Sequence, residues 1–233
     1  MAGTVRIRMK GASGVSAGLR SNFLGVTGGK ASGKDTFADY LVHHYGFVHI
    51  SLSDLVREEL RRRDMVENID NLINLGNELR QKEGTDALAK RALAKIDQEE
   101  IRDLTKRYVI SSLRHPSEVQ RLRASNESFT LIHLEAPLQL RYERCKARGR
   151  LGDVKSFEEF VAKEKQQEFS TVDVASQQMN AVYAMADVVL TNDATSLEEF
   201  QQKIDQELLL RPSASAATND HHEGREGKNA QAH

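Results

Sequence analysis

Phe23-Leu24-Gly25-Val26-Thr27 runs directly into Gly28-Gly29-Lys30-Ala31-Ser32-Gly33-Lys34-Asp35-Thr36. The first five residues are a short apolar run closed by glycines, which predicts a strand and a turn. Gly28, Gly33 and Lys34 then stand at the spacing of a phosphate cradle: glycine, four residues, glycine, lysine. From Asp35 to His44, Phe37, Ala38, Tyr40 and Leu41 recur at helical spacing, so the cradle lies between a strand and a helix. That placement suits the chemistry. Glycines let the backbone turn its N–H groups inward around phosphate oxygens, and the helix N-terminus adds the positive end of its dipole. Lys34 is a mobile point charge for the terminal phosphates. Gly28, Gly29, Lys30, Ala31, Ser32, Gly33, Lys34, Asp35 and Thr36 are therefore the predicted nucleotide-binding residues. One position departs from the pattern: Asp35 stands where the Mg²⁺-binding hydroxyl belongs, and Thr36 comes one place late. Acids are favoured in a helix's first turn, and a carboxylate also suits a hard cation, so Asp35 and Thr36 are the candidate metal-side residues.

Outward from this loop, strand-like and helix-like stretches alternate. Phe47–Ile50, Tyr108–Ser111, Phe129–Leu134 and Ala186–Thr191 are further strand candidates. Helical patterns begin after Ser51-Leu52-Ser53-Asp54, cover about 68–82 and 85–96, follow Pro116 and Pro137, and run over 156–169 and 196–210. Crossovers of this length predict an α/β fold, a P-loop NTPase-like parallel sheet of about five strands with helices on both faces. The stretch from Arg141 to Arg150, ahead of Gly152 and a new helix from Ser156, resembles the lid of nucleotide kinases, which implies a small lid. Residues 1–21 carry Arg6, Arg8, Lys10 and Arg20 and no acid; they read as a flexible N-terminal extension, though a transit peptide has the same composition. Residues 211–233 hold almost nothing to bury and read as a disordered tail, leaving one domain over 22–210.

The 233 residues balance 33 Lys+Arg against 34 Asp+Glu, so no global field draws the chain to nucleic acid or anionic lipid. No run approaches the roughly 18 apolar residues of a membrane span. The single cysteine, Cys145, excludes an internal disulfide framework and a multi-cysteine zinc site, and fits a reducing, cytoplasmic setting. Trp is absent and aromatics are 6%, which argues against a stacking platform for single-stranded nucleic acid.

Ser32-Gly33-Lys34-Asp35-Thr36 resembles the loop of phage-type deoxynucleoside monophosphate kinases and of animal phosphomevalonate kinases. Val26-Thr27-Gly28-Gly29 ahead of it resembles dephospho-coenzyme A kinase. Ile50-Ser51-Leu52-Ser53-Asp54-Leu55-Val56-Arg57 is similar to the segment of adenylate-kinase-like enzymes that opens the monophosphate-binding helices. Val109-Ile110-Ser111-Ser112-Leu113-Arg114-His115-Pro116 looks like a segment in a group of adenylate-kinase-like proteins, and Leu75 to Arg80, Arg148-Gly149-Arg150 and Ala186 to Asp193 echo the same group.

The resemblance implies an ATP- and Mg²⁺-dependent kinase acting on a small phosphorylated acceptor, a nucleoside or deoxynucleoside monophosphate first and dephospho-coenzyme A second. It places Asp54, Arg57 and Arg114 at the acceptor phosphate, where a planar arginine fork pairs two oxygens. Arg61, Arg62 and Arg63 read as a solvated face. Arg148 and Arg150, nearest the glycine hinge, are favoured over Arg141 and Arg144 as lid arginines closing on the transferring phosphoryl group. Lys163 matches a basic residue of the lid helix, and Cys145 reads as a packing residue. The group carries Asp at the position of Ser111. That loss keeps open a module of another class, an ATP-binding sensor with little turnover.

Overall fold

The computed structural model describes residues 21–98, 106–149, 156–168 and 177–208. Five strands, β1 (Phe23–Thr27), β2 (Phe47–Ser51), β3 (Arg107–Ser111), β4 (Thr130–Glu135) and β5 (Val188–Thr191), form one sheet in the order β2-β3-β1-β4-β5. Every pairing is parallel. Nine helices are described: α1 (Lys34–Tyr45), α2 (Leu52–Arg62), α3 (Ile69–Glu83), α4 (Ala87–Gln98), α5 (Pro116–Ser125), α6 (Leu138–Arg148), α7 (Phe157–Glu168), α8 (Met179–Ala184) and α9 (Leu197–Leu208). This is the predicted α/β architecture of the P-loop NTPase-like class. Among the described residues no helix is long and apolar enough to cross a membrane.

Alternation along each strand divides the core into two layers. Phe23, Ile50, Tyr108, Ile110 and Leu131 face one cluster with Leu52, Leu60, Leu79 and Leu122. Their chain neighbours Leu24, Val109 and Ile132 face the other, with Phe37, Leu41, Phe200 and Ile204. Strands buried on both sides read as continuous apolar runs, which is why β1 and β4 were plain in the sequence. Asp205 of α9 accepts from Tyr40 Oη at 2.8 Å and from the Tyr45 hydroxyl, tying α9 to α1.

Ser21 belongs to the domain rather than to the extension predicted for 1–21. It is buried, and its hydroxyl donates to the Phe23 carbonyl at 2.9 Å. Residues 1–20 and the tail predicted for 211–233 lie outside the described residues. Leu52 and Leu60 of α2 face the core, while Arg62 and Arg63 converge on buried Glu59 at 2.6 and 2.7 Å. That pairing goes beyond the solvated face expected of the arginine run, and the Arg62 and Arg63 hydrogen bonds hold the Glu59 carboxyl down at about 2 against its burial.

The β3–α5 turn is fixed by Glu118. Its Oε2 accepts from the backbone N–H of Arg114 at 2.8 Å and of His115 at 3.0 Å, while His115 Nδ1 accepts from Ser117 N–H, completing a capping box. The other carboxylate oxygen is 2.9 Å from Arg80 Nη2 of α3, with both side chains at most 1% exposed. Removing one partner of such a pair leaves an uncompensated buried charge. Glu118→Ala is expected to destabilise the domain by about 3–5 kcal/mol, read as a fall in the thermal midpoint. A midpoint within two or so degrees of wild type would refute that role.

Candidate phosphate-binding site

The turn after β1 is built to receive an anion. Gly28, Ala31 and Gly33 have φ of 157°, 58° and 99°, a run of positive-φ positions of the kind from which anion-binding backbone concavities are made. A Cβ on Gly28 would lie 2.5 Å from both the Leu134 carbonyl oxygen and Ser32 Oγ, so that position admits only glycine. Gly33 caps α1 without any side-chain hydrogen bond, which leaves first-turn N–H groups for a ligand. Ser32 Oγ is the one buried side-chain polar atom without a partner among the described residues. An orphan hydroxyl in a loop of this conformation, one residue ahead of the cap of α1, fits a phosphate group.

Three anchors hold the loop. Thr27 Oγ1 donates to the Leu113 carbonyl at 3.1 Å, joining the loop to the turn that carries Arg114. Asn192 Nδ2 donates to the Ser32 carbonyl at 2.9 Å. Arg144 in turn donates to Asn192 Oδ1 at 3.1 Å and the Ala194 carbonyl at 3.0 Å. Asn192 and Arg144 join the loop to the β5–α9 connection across 160 residues of chain.

Lys34 opens α1 with its side chain 15% exposed, its ammonium 3.9 Å from Asp35 Oδ1. Burial pushes its pKa down, and the nearby charges of Arg114 and Arg148 add to that against the pull of Asp35 and Glu164. Burial likewise lowers Arg114, whose Nη1 donates to Gln177 Oε1 at 3.2 Å while its carbonyl accepts from Gln178 N–H at 2.8 Å. Lys34 thus feels the charges of two further cations, as a site for a polyanion requires. Beside them opens a cleft of about 450 Å³, lined among others by Lys34, Thr36, Arg144, Arg148, Asn192 and Thr195. It is large enough for the base and sugar of a nucleotide.

The other predicted residues divide. Asp35 is 58% exposed and, like Thr36, reaches the cleft rather than the core. Of the predicted acceptor set, Arg57 is held by two carboxylates, Asp54 at 2.5 Å and Glu67 at 2.8 Å, so Arg57 and Asp54 neutralise one another on α2, while Arg114 sits on the turn that Thr27 ties to the loop. Lys163 is directed to solvent, 54% exposed and 3.0 Å from Glu159, because α7 turns the next residue, Glu164, inward. Arg150 lies outside the described residues. Cys145 is fully buried, as its packing role predicts.

The Ser111 hydroxyl, at the end of β3, shares a 2.7 Å hydrogen bond with His49 Nε2 of β2. Burial lowers the His49 pKa, opposed by the charges of Asp39, Asp35 and Asp54. The sequence carried no sign of this pair, since it depends on strand order. Asn192 and Glu164 were not singled out because their contacts with Ser32 and Arg141 are likewise non-local, and Arg144, ranked behind Arg148 and Arg150 as a lid arginine, is found bonded to Asn192.

A family model described as an AAA domain matches residues 27–161, from the end of β1 into α7. A UPF0200 protein of Thermococcus gammatolerans is 33% identical over 182 residues, covering 77% of this chain and 90% of that one. The chain is an AAA-domain protein of the UPF0200 family. A UPF0200/UPF0201 protein of Archaeoglobus fulgidus is 36% identical over 195 residues, and there the chain spans 82% of its own length but only 56% of its relative's. An uncharacterised protein from Eubacterium ventriosum shares the fold, with a TM-score of 0.50 at 11% identity over 81% of this chain and 98% of that one.

Proposed function

We propose that this protein transfers the γ-phosphoryl group of ATP to a small phosphorylated acceptor, a nucleoside or deoxynucleoside monophosphate, in the cytoplasm. The observation that carries this reading is the orphan Ser32 Oγ in a loop whose Lys34 shares a cleft of about 450 Å³ with Arg148, while Thr27 ties the turn of Arg114 to the same loop. Loop amides, Ser32 Oγ and Lys34 hold the donor phosphates, and Arg114 holds the acceptor phosphate. Arg148 stands on the lid side, with Arg150 expected beyond it. An acceptor phosphate oxygen forms the new bond to the γ-phosphorus as the bond to the β–γ bridging oxygen breaks, and ADP leaves. The protein contributes position and charge neutralisation rather than a covalent intermediate. Dephospho-coenzyme A is the next acceptor in the same class. A purified-protein panel of these acceptors with ATP, read by chromatography, tests the reading. Acceptor-dependent ADP supports it, and tight ATP binding with no turnover on any acceptor contradicts it.

The second reading, an ATP-binding sensor, is favoured by Ser111, whose hydroxyl is already engaged by His49 where a carboxylate would serve the metal. Mg²⁺, if bound, would partly neutralise the triphosphate. Asp35 is the residue that would hold it, since its carboxylate is exposed toward the cleft next to Lys34. Thr36 is turned about 100° away along α1. Asp35→Ala is therefore expected to raise the Mg²⁺ needed for half-maximal turnover by about tenfold, and Thr36→Ala much less. Ser111→Asp added to Asp35→Ala should recover part of the loss. An unchanged Mg²⁺ titration would reduce Asp35 to a favourable first-turn acid.

A further inference from the structure

Arg141 is the cation that leans hardest on the phosphate loop, although the sequence ranked it behind Arg148 and Arg150. A Cβ on Gly29 would overlap Arg141 Nη1 and lie 2.9 Å from Glu164 Oε2, so the Arg141–Glu164 ion pair is packed directly against the loop backbone. Arg141 Nη1 also reaches the Lys30 carbonyl at 3.4 Å. Both side chains are about nine-tenths buried, at 10% and 8% exposure. The pair is clamped by the small core of the lid, where Cys145 and Phe160 pack with Leu138, Tyr142 and the loop's own Ala31. The guanidinium sits 5.7 Å over the Phe160 ring. Glu164 also attracts Lys34 and Arg114.

We propose that Arg141 is a donor-phosphate-binding arginine and that Glu164 is its resident counter-ion, exchanged for phosphate oxygens when ATP binds. The inference rests on the nucleotide reading above. Lys34, Arg114 and Arg141 all lie within reach of Glu164, and such a set of cations is self-repulsive without an anion. Glu164 supplies one from the lid. A triphosphate brings several negative charges to the same place, where a retained carboxylate would oppose them, while Arg141 offers the planar fork that matches phosphate. Because Glu164 belongs to α7, the exchange also moves the lid helix.

The two partners of one ion pair make the test decisive. Calorimetric titration of ATP, without acceptor and both with and without Mg²⁺, is run on wild type, Arg141→Gln, Glu164→Gln and Lys34→Ala. Exchange predicts opposite signs: Arg141→Gln weakens ATP binding by about tenfold or more, and Glu164→Gln tightens it by about tenfold. A pair that only braces the lid predicts weakening by both, and that result overturns the proposal, as does unchanged binding by Glu164→Gln. Melting of the ligand-free chains shows that each substitution breaks the pair, both midpoints falling. If Glu164→Gln does not fold, Glu164→Asp keeps the charge on a shorter arm and should tighten binding by about threefold; unchanged or weaker binding again overturns the exchange. Binding of ATP by neither wild type nor the Glu164 variants overturns the nucleotide reading itself, which separates that failure from failure of the exchange.

Discussion

Alanine at position 34 lowers ATP affinity or phosphoryl transfer by at least about tenfold, because a charge directed at the terminal phosphates is lost. Its side chain is largely buried at the first turn of α1, and burial already disfavours its charge, so phosphate oxygens are the partner that restores it. The charges of Arg148 and Arg114 bear on Lys34 from α6 and from the turn after β3. The measurement is ATP titration together with a turnover assay on the purified variant. Binding and turnover both equal to wild type would remove the phosphate-loop assignment. Loss confined to turnover is also compatible with it, since a point charge on the transferring group is felt most in the transition state.

Arg114→Ala separates acceptor from donor. The guanidinium stands at the end of β3, opposite the donor loop and held by Gln177. A charge-assisted pair with a phosphate contributes on the order of 1.5–3 kcal/mol, so the acceptor KM rises or kcat falls by about tenfold to a hundredfold while ATP affinity stays near wild type. Arg57→Ala is expected to act in the same direction, once the acceptor has drawn Arg57 from Asp54 and Glu67. Arg62→Ala should leave both substrates' constants alone, its guanidinium being 69% exposed and engaged with Glu59. If Arg62 mattered more than Arg57, the acceptor would bind elsewhere.

What the sequence made legible was what lies close along the chain. The loop from Gly28 to Thr36 carries its own spacing, and the apolar runs of β1, β3 and β4 announce strands buried on both faces. The α8 helix escaped notice because six residues hold too few turns for a 3.6-residue period to show. The boundary at Ser21 was hidden because a small polar residue gives no sign of whether its hydroxyl is spent on the strand that follows. The supports of the site are non-local: Asn192 reaches Ser32, Glu164 reaches Arg141, and His49 reaches Ser111 only because β2 lies next to β3. Helix phase could have favoured Glu164 over Lys163, since Phe160 and Glu164 are one turn apart and both face inward. It could not have supplied the partner.

The central claim, transfer of phosphoryl from ATP to a phosphorylated acceptor, is tested most directly by phosphorus NMR of one reaction mixture containing the protein, Mg²⁺, ATP and a nucleoside monophosphate. The account predicts that ADP and a newly formed diphosphate of the acceptor appear in equal amounts, with little inorganic phosphate, and that Arg114→Ala slows both together. Inorganic phosphate released in step with ADP, or an unchanged ATP spectrum across the whole acceptor panel despite measurable ATP binding, would contradict it.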